Sequence, residues 1–252
     1  MTEEVTTIAA VGDIHCGTDC HGKLRPMFES AAENADVLLL LGDLTKYGRP
    51  DEVELLIREL GDAVARPVLA VLGNHDFESA MENELTTALE EAGVTVLDGT
   101  TTTIGDVGFA GVKGFGGGFG RRALTPWGEP ATKAFVQAGA DEAMKLERAL
   151  AELRTEIKIV LMHYSPIYAT IQGEPEQIAP FLGSTRLEEP VDRFRADAVF
   201  HGHAHYGSPE GETKSGIPVY NVAMPLLEKH FPDRPPFRLL EVESLRTEVS
   251  EG

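Results

Sequence analysis

Within Phe200–Gly207, "FHGHAHYG", the residues His201, His203 and His205 fall at every second position. In an extended chain, residues i, i+2 and i+4 point to one face. Imidazoles gathered there either hold a divalent ion or form a solvated strand end, and eight residues leave both readings open. Further groups able to hold a metal follow other apolar runs: "GDIH" with Asp13 and His15, "GD" with Asp43, "GNHD" with Asn74, His75 and Asp76, and "MH" with His163. Nitrogen and oxygen donors without thiolate suit Mn, Fe, Zn, Co or Ni. They are too many for one ion, and two ions about 3.5 to 4 Å apart form the clamp used for in-line displacement at phosphorus. Such a pair needs a bridging carboxylate, a role open to Asp43, which stands alone on its loop.

The elements that must position these groups are short apolar runs with β-type composition: Thr6–Gly12, Val37–Gly42, Pro67–Gly73, Val107–Val112, Ile157–Met162 and Ala196–Phe200. Helical spacing separates them. Val53, Leu56, Ile57 and Leu60 follow Asp51, a plausible cap, and Ala143, Leu146, Ala149, Leu150 and Leu153 mark a long amphipathic helix. Near-continuous apolar strands followed by helices imply βαβ units covered on both faces, hence a layered α/β fold. In open α/β sheets the ligand site lies outside the carboxyl ends of the strands, which is where all these polar groups fall.

No repeat or low-complexity linker divides the chain, so residues 1–252 are expected to form a single domain. Two irregular stretches stand out, Lys113–Pro130 and Tyr164–Arg186, and loops of this length are often functional. In the first, Phe115 and Phe119 stand beside Arg121 and Arg122, a set able to stack a base and pair with a phosphate. The competing reading is a hairpin turn whose phenylalanines pack inward.

Composition narrows the partners. Lys and Arg number 22 against 41 Asp and Glu, a formal net charge of −19, so duplex nucleic acid and anionic lipid are disfavoured and a small substrate is expected. The first dozen residues carry no signal-peptide pattern, and the densest apolar run, Val37–Leu41, is far too short to span a bilayer, which together imply a cytoplasmic protein. Cys16 and Cys20 are too few for a disulfide framework, and their four-residue spacing is compatible with two free thiols, with a redox or metal role for the pair as the other reading. His21 and His230 match no pattern and are taken as surface residues. The apolar, proline-rich Met224–Glu243 is read as a final strand returning to the sheet, with a homo-oligomer contact as the other reading.

The ordered blocks Asp13-Ile14-His15, Gly42-Asp43, Gly73-Asn74-His75-Asp76, His163 and Gly202-His203-Ala204-His205 closely resemble the calcineurin-like metallophosphoesterase superfamily. The resemblance implies a four-layer α/β/β/α sandwich with a dinuclear centre of divalent transition metals. It further implies that Asp13, His15 and His205 hold the first metal, that Asn74, His163 and His203 hold the second, and that Asp43 bridges them. A metal-bridging hydroxide would attack phosphorus, and His75 would protonate the leaving alkoxide or stabilise its charge. His201 lies outside the motif. Departures from the protein phosphatases, with Lys46 and Tyr47 where those have Asp and Arg, leave a pattern more similar to class III cyclic-nucleotide phosphodiesterases. The expected substrate is therefore a small or nucleotide-like phosphodiester. A phosphomonoesterase of the same superfamily is the nearer alternative, and a non-catalytic scaffold the more distant one.

Overall fold

Val37 to Leu41 forms a strand with all five side chains buried, as a parallel strand covered on both faces must be. The computed structural model describes residues 2–246. Chain order begins with β1 (Thr2–Val11), α1 (Arg25–Asn34), β2 (Val37–Leu41), α2 (Pro50–Leu60), β3 (Val68–Val71), α3 (Glu82–Glu91) and β4 (Val94–Val96). It continues with β5 (Thr100–Ile104), β6 (Val107–Val112), α4 (Pro130–Glu152), β7 (Ile157–Met162), α5 (Ala179–Leu182) and α6 (Thr185–Phe194). The remainder is β8 (Ala198–His201), β9 (Glu210–Glu212), β10 (Pro218–Asn221), α7 (Met224–His230) and β11 (Arg238–Arg246).

Two mixed sheets result, in the orders β11-β1-β2-β3-β4 and β5-β6-β7-β8-β10-β9. β1 to β4 run parallel and β11 closes the edge antiparallel to β1, so the chain end does return as a strand. In the second sheet β6, β7, β8 and β10 run parallel, with β5 and β9 antiparallel at its edges.

Residue parity stacks the layers. Ile8, Ala10, Leu39, Leu41 and Leu69 of one sheet pack against Phe109, Ile159, Leu161 and Phe200 of the other. The alternate residues Ala9, Val11, Leu38, Leu40 and Ala70 face outward onto Phe28, Val53, Leu56 and Leu85 of α1 to α3. On the far side Ala110, Val160, Met162 and Val199 meet Leu146, Leu150, Leu187 and Val191 of α4 and α6. The order is helix, sheet, sheet, helix, with strands turned on both faces toward apolar neighbours. Among the described residues no helix is long and apolar enough to cross a membrane.

Two local expectations are corrected. α2 is capped at Arg49, not Asp51, because Pro50 suits the first helical position and Glu52 reaches back to the backbone N–H groups of Tyr47 and Arg49 at 2.8 and 3.4 Å. Cys16 and Cys20 are joined in a disulfide, not free. The Cys20 N–H donates to the Gly17 carbonyl at 3.1 Å, and that turn brings the two Cα atoms to 5.5 Å, within the span of such a bond.

Candidate metal centre

Every parallel strand with chemistry at its end delivers it to one edge of the sandwich. Asp13 and His15 follow β1, Asp43 follows β2, Asn74 and His75 follow β3, His163 follows β7, and His203 and His205 follow β8. The backbone is strained there. Asp13, His15, Asp43 and His203 have φ of 54°, 47°, 48° and 69°, a left-handed conformation uncommon for side-chain-bearing residues. Such outliers gather at sites where surrounding structure over-determines them. The motif glycines admit the side chains: a Cβ on Gly42 would stand 2.5 Å from His163, one on Gly73 2.2 Å from Asp43, and one on Gly202 2.1 Å from Asp13.

The donors form three overlapping groups, Asp13 with His15 and His205, His15 with Asp43 and His75, and Asp43 with His163 and His203. Asp43 belongs to two of them and is 1% exposed. His205 Nε2 stands 2.8 Å from Asp13 Oδ1 and 3.4 Å from His15 Nε2. His163 Nε2 stands 3.0 Å from Asn74 Oδ1 and 3.4 Å from Asp43 Oδ1. Two donors each about 2.1 Å from one ion and 90 to 110° apart lie about 3.0 to 3.4 Å from each other. These spacings, with nitrogen and oxygen donors and two buried carboxylates, fit a pair of divalent transition metals.

Backbone carbonyls fix the rings. His163 Nδ1 donates to the Leu41 carbonyl at 2.9 Å, and His203 Nε2 to that of Phe181 at 3.1 Å. A carbonyl only accepts, so the proton sits on that nitrogen, and the other one faces the donor cluster. The Asp13 carboxylate is steadied by the His203 N–H at 3.0 and 2.8 Å.

Electrostatics follow from this crowding. Burial opposes charge on His163, but the Asp43 carboxylate overrides it and raises the ring to about 9 in the metal-free protein. Burial pushes His203 down to about 4, and His15 is likewise lowered by burial. His205 is raised by its hydrogen bond to Asp13.

His75 Nδ1 donates to the Lys46 carbonyl at 2.8 Å, and its ring lies 4.6 Å from that of His15, edge to face. His201 stays apart. It has the parity of Val199, so it points to the helix side, where its Nε2 meets Thr170 Oγ1 at 2.8 Å and burial lowers it to about 4. Asp76, counted by sequence among metal-capable groups, is instead a loop brace. Its carboxylate accepts from the N–H groups of Leu44, Thr45 and Gly73 and from Thr45 Oγ1.

The aromatic and arginine set splits. Phe115 turns inward onto Phe135 and Tyr164, with ring centroids 5.0 and 5.7 Å away. Phe119, Arg121 and Arg122 line a separate cavity with Tyr168 and Pro180. His21 and His230 are exposed.

Three contributors went unread in the sequence. Tyr164 stacks beside His203 at 4.5 Å. Phe181 offers its carbonyl to the same ring. Lys113, at the end of β6, accepts the His163 and Tyr164 N–H groups on its carbonyl, and its ammonium stands over Phe77, Phe115 and Tyr164 at 5.4, 5.0 and 5.3 Å. The signal for Lys113 was its position: it closes the one apolar run that supplied no metal-capable group.

Comparison with known proteins bears on this edge. The family described as calcineurin-like phosphoesterase matches residues 6–207. Uncharacterized protein MJ1162 of Methanocaldococcus jannaschii is 33% identical over 97 residues, which are 38% of this chain and 41% of that protein. The match thus spans less than half of that relative's length. Among solved structures, the fold is similar to phosphopantetheinyl hydrolase (PptH) of Mycobacterium tuberculosis, with TM-score 0.66, 17% identity, and coverage of 93% of this chain and 95% of that one. It is also similar to TT1561 of Thermus thermophilus, with TM-score 0.58, 21% identity, and coverage of 89% and 92%. At these identities the structural likeness speaks for the fold.

Proposed function

The chain belongs to the calcineurin-like phosphoesterase family, a family of metal-dependent hydrolases, and from that premise we propose that it cleaves a phosphodiester of a small or nucleotide-like substrate. The observation that carries the reading is the place of Asp43 between the two sets of donors, with Oδ2 3.9 Å from His15 Nε2 and Oδ1 3.4 Å from His163 Nε2. Asp13, His15 and His205 would hold one ion, Asn74, His163 and His203 the other, and Asp43 both. Bound there, the two ions would supply Lewis acidity toward the phosphoryl oxygens and a nucleophile from water at neutral pH.

The chain's own residues do the rest. The Leu41 and Phe181 carbonyls hold the His163 and His203 rings in one tautomer, so each presents a lone pair without searching for it. His75, anchored through Nδ1 on the Lys46 carbonyl, would as an imidazolium give the proton on Nε2 to the departing alkoxide. Asp76 keeps the loops after β2 and β3 together, so that His75 and Asp43 move as a unit.

Lys46 and Tyr47 after Asp43, and Asp76 closing the Gly73–Asp76 block, depart from the protein-phosphatase pattern and favour the diester. The test is initial rates of the Mn²⁺-loaded protein on bis(p-nitrophenyl) phosphate and p-nitrophenyl phosphate, side by side. Faster diester turnover supports the reading. Faster monoester turnover replaces it with a phosphomonoesterase, and full metal content without turnover of either ester favours a scaffold.

A further inference from the structure

Beside the metal centre lies a cavity of ≈ 560 Å³ whose walls come from two loops, Gly118–Arg122 and the stretch holding Tyr168, Glu176, Ala179 and Pro180. Those loops leave the carboxyl ends of β6 and β7, adjacent parallel strands whose ends border the metal edge. They are tied to each other: the Gly117 N–H donates to the Pro180 carbonyl at 2.7 Å and the Gly118 N–H to that of Gly183 at 2.9 Å. The next residue after Pro180 is Phe181, whose carbonyl holds His203. One peptide unit therefore separates the cavity wall from a candidate ligand's hydrogen bond.

The lining has two chemistries. Phe119 and Tyr168 meet edge to face at 5.8 Å and, with Pro180, make an apolar corner in which a planar ring can lie on one aromatic face and against the edge of the other. Two arginines of unequal standing line the same cavity. Arg122 pairs with Glu176 at 3.7 Å, so those two charges offset each other. Arg121 lines the same cavity with no ion pair to any described residue, in a chain where acidic residues outnumber basic ones 41 to 22. With carboxylates in such excess, an unpaired guanidinium beside aromatic rings points to an anion from outside the chain.

We propose that this cavity binds the leaving half of the substrate, and that this half carries a flat ring and a second phosphate: the ring lies against Phe119 and Tyr168 and the phosphate pairs with Arg121. The assignment rests on the phosphodiesterase reading and narrows it from diesters in general to those with a second anionic group, such as a 5′-phosphorylated dinucleotide.

The test compares pApA, ApA and bis(p-nitrophenyl) phosphate on the Mn²⁺-loaded wild type and Arg121→Gln. Arg121 is exposed and outside the metal clusters, so the variant should keep its fold and its rate on bis(p-nitrophenyl) phosphate. The expected result is a kcat/KM for pApA about tenfold above that for ApA in the wild type, and loss of that margin in Arg121→Gln. Wild-type cleavage of bis(p-nitrophenyl) phosphate with no preference for pApA, or an equal effect of the substitution on all three esters, overturns the subsite and leaves the phosphodiesterase standing. Should no ester turn over, the parent reading falls instead, and calorimetric binding of AMP decides the subsite alone: weaker binding by Arg121→Gln supports it, equal binding overturns it.

Discussion

The backbone N–H of His75 donates to Asp43 Oδ1 at 2.8 Å. The carboxylate shared by two donor clusters is thus also the acceptor that seats the proposed proton donor. Asp43→Asn keeps an oxygen for this hydrogen bond and removes the charge. It should fold as the wild type does and bind far less metal by atomic absorption. Asp43→Ala should lose the metal and also about 1 to 3 kcal/mol of stability in denaturant titration, because the His75 N–H is left without its partner. Full metal content in Asp43→Asn would remove Asp43 from the centre.

His75 is geometrically able to be a ligand, since it groups with His15 and Asp43. The proposed role is proton transfer. His75→Ala should keep both ions and lower kcat by about 10² or more, with the larger loss for esters with poor leaving groups. Metal loss with activity retained at restored occupancy would exchange the two roles.

A methyl group at Gly202 would stand 2.1 Å from Asp13 Oδ2 and 3.0 Å from the Leu41 carbonyl oxygen. Gly202→Ala should therefore push Asp13 off its position and weaken Mn²⁺ binding by about 10- to 100-fold, as substitutions around first ligands do. Unchanged affinity would mean that Asp13 is not held by that approach.

The metal-free protein should be most stable near pH 6.5. Burial holds His201 and His203 down to about 4, so between pH 4 and 6.5 the unfolded chain binds more protons and stability rises with pH. His163 is raised to about 9, so between 6.5 and 9 the folded chain binds more, and its contribution, full below 6.5, is lost as pH climbs through 9. Thermal melts of chelator-treated protein at pH 5, 6.5 and 9.5 would trace this maximum. In His163→Gln the alkaline decline should shrink. A stability that keeps rising to pH 9.5 in the wild type would contradict the Asp43 and His163 pairing.

Much of the site was legible because its blocks follow apolar runs directly. Val107–Val112 and Ile157–Met162 appear as strands with the same bounds as in the sequence reading, and Asp43, His163 and His203 meet at their common edge. The strands that escaped were short or polar: Val94–Val96, Thr100–Ile104 and Glu210–Glu212 are edge strands with partly exposed faces, and Pro218–Asn221 opens on a proline. Their stability comes from pairing with neighbouring strands, β4 with β3, β5 with β6, β10 with β8 and β9 with β10, a tertiary effect that local composition does not carry. The two-sheet stacking came from family resemblance. Its physical basis, Ile8 and Ala10 inward against Ala9 and Val11 outward, appears only once both faces have a partner. Phe115 and Phe119 show the same limit, since spacing placed them together and packing sent one inward.

The most direct measurement is hydrolysis of bis(p-nitrophenyl) phosphate as Mn²⁺ is titrated into metal-free protein, with bound metal per chain determined at every point. Activity that emerges as occupancy passes one ion and levels off at two, absent in Asp43→Asn, is the predicted result. Full activity at one ion per chain, or activity that survives complete chelation, would contradict a dinuclear centre.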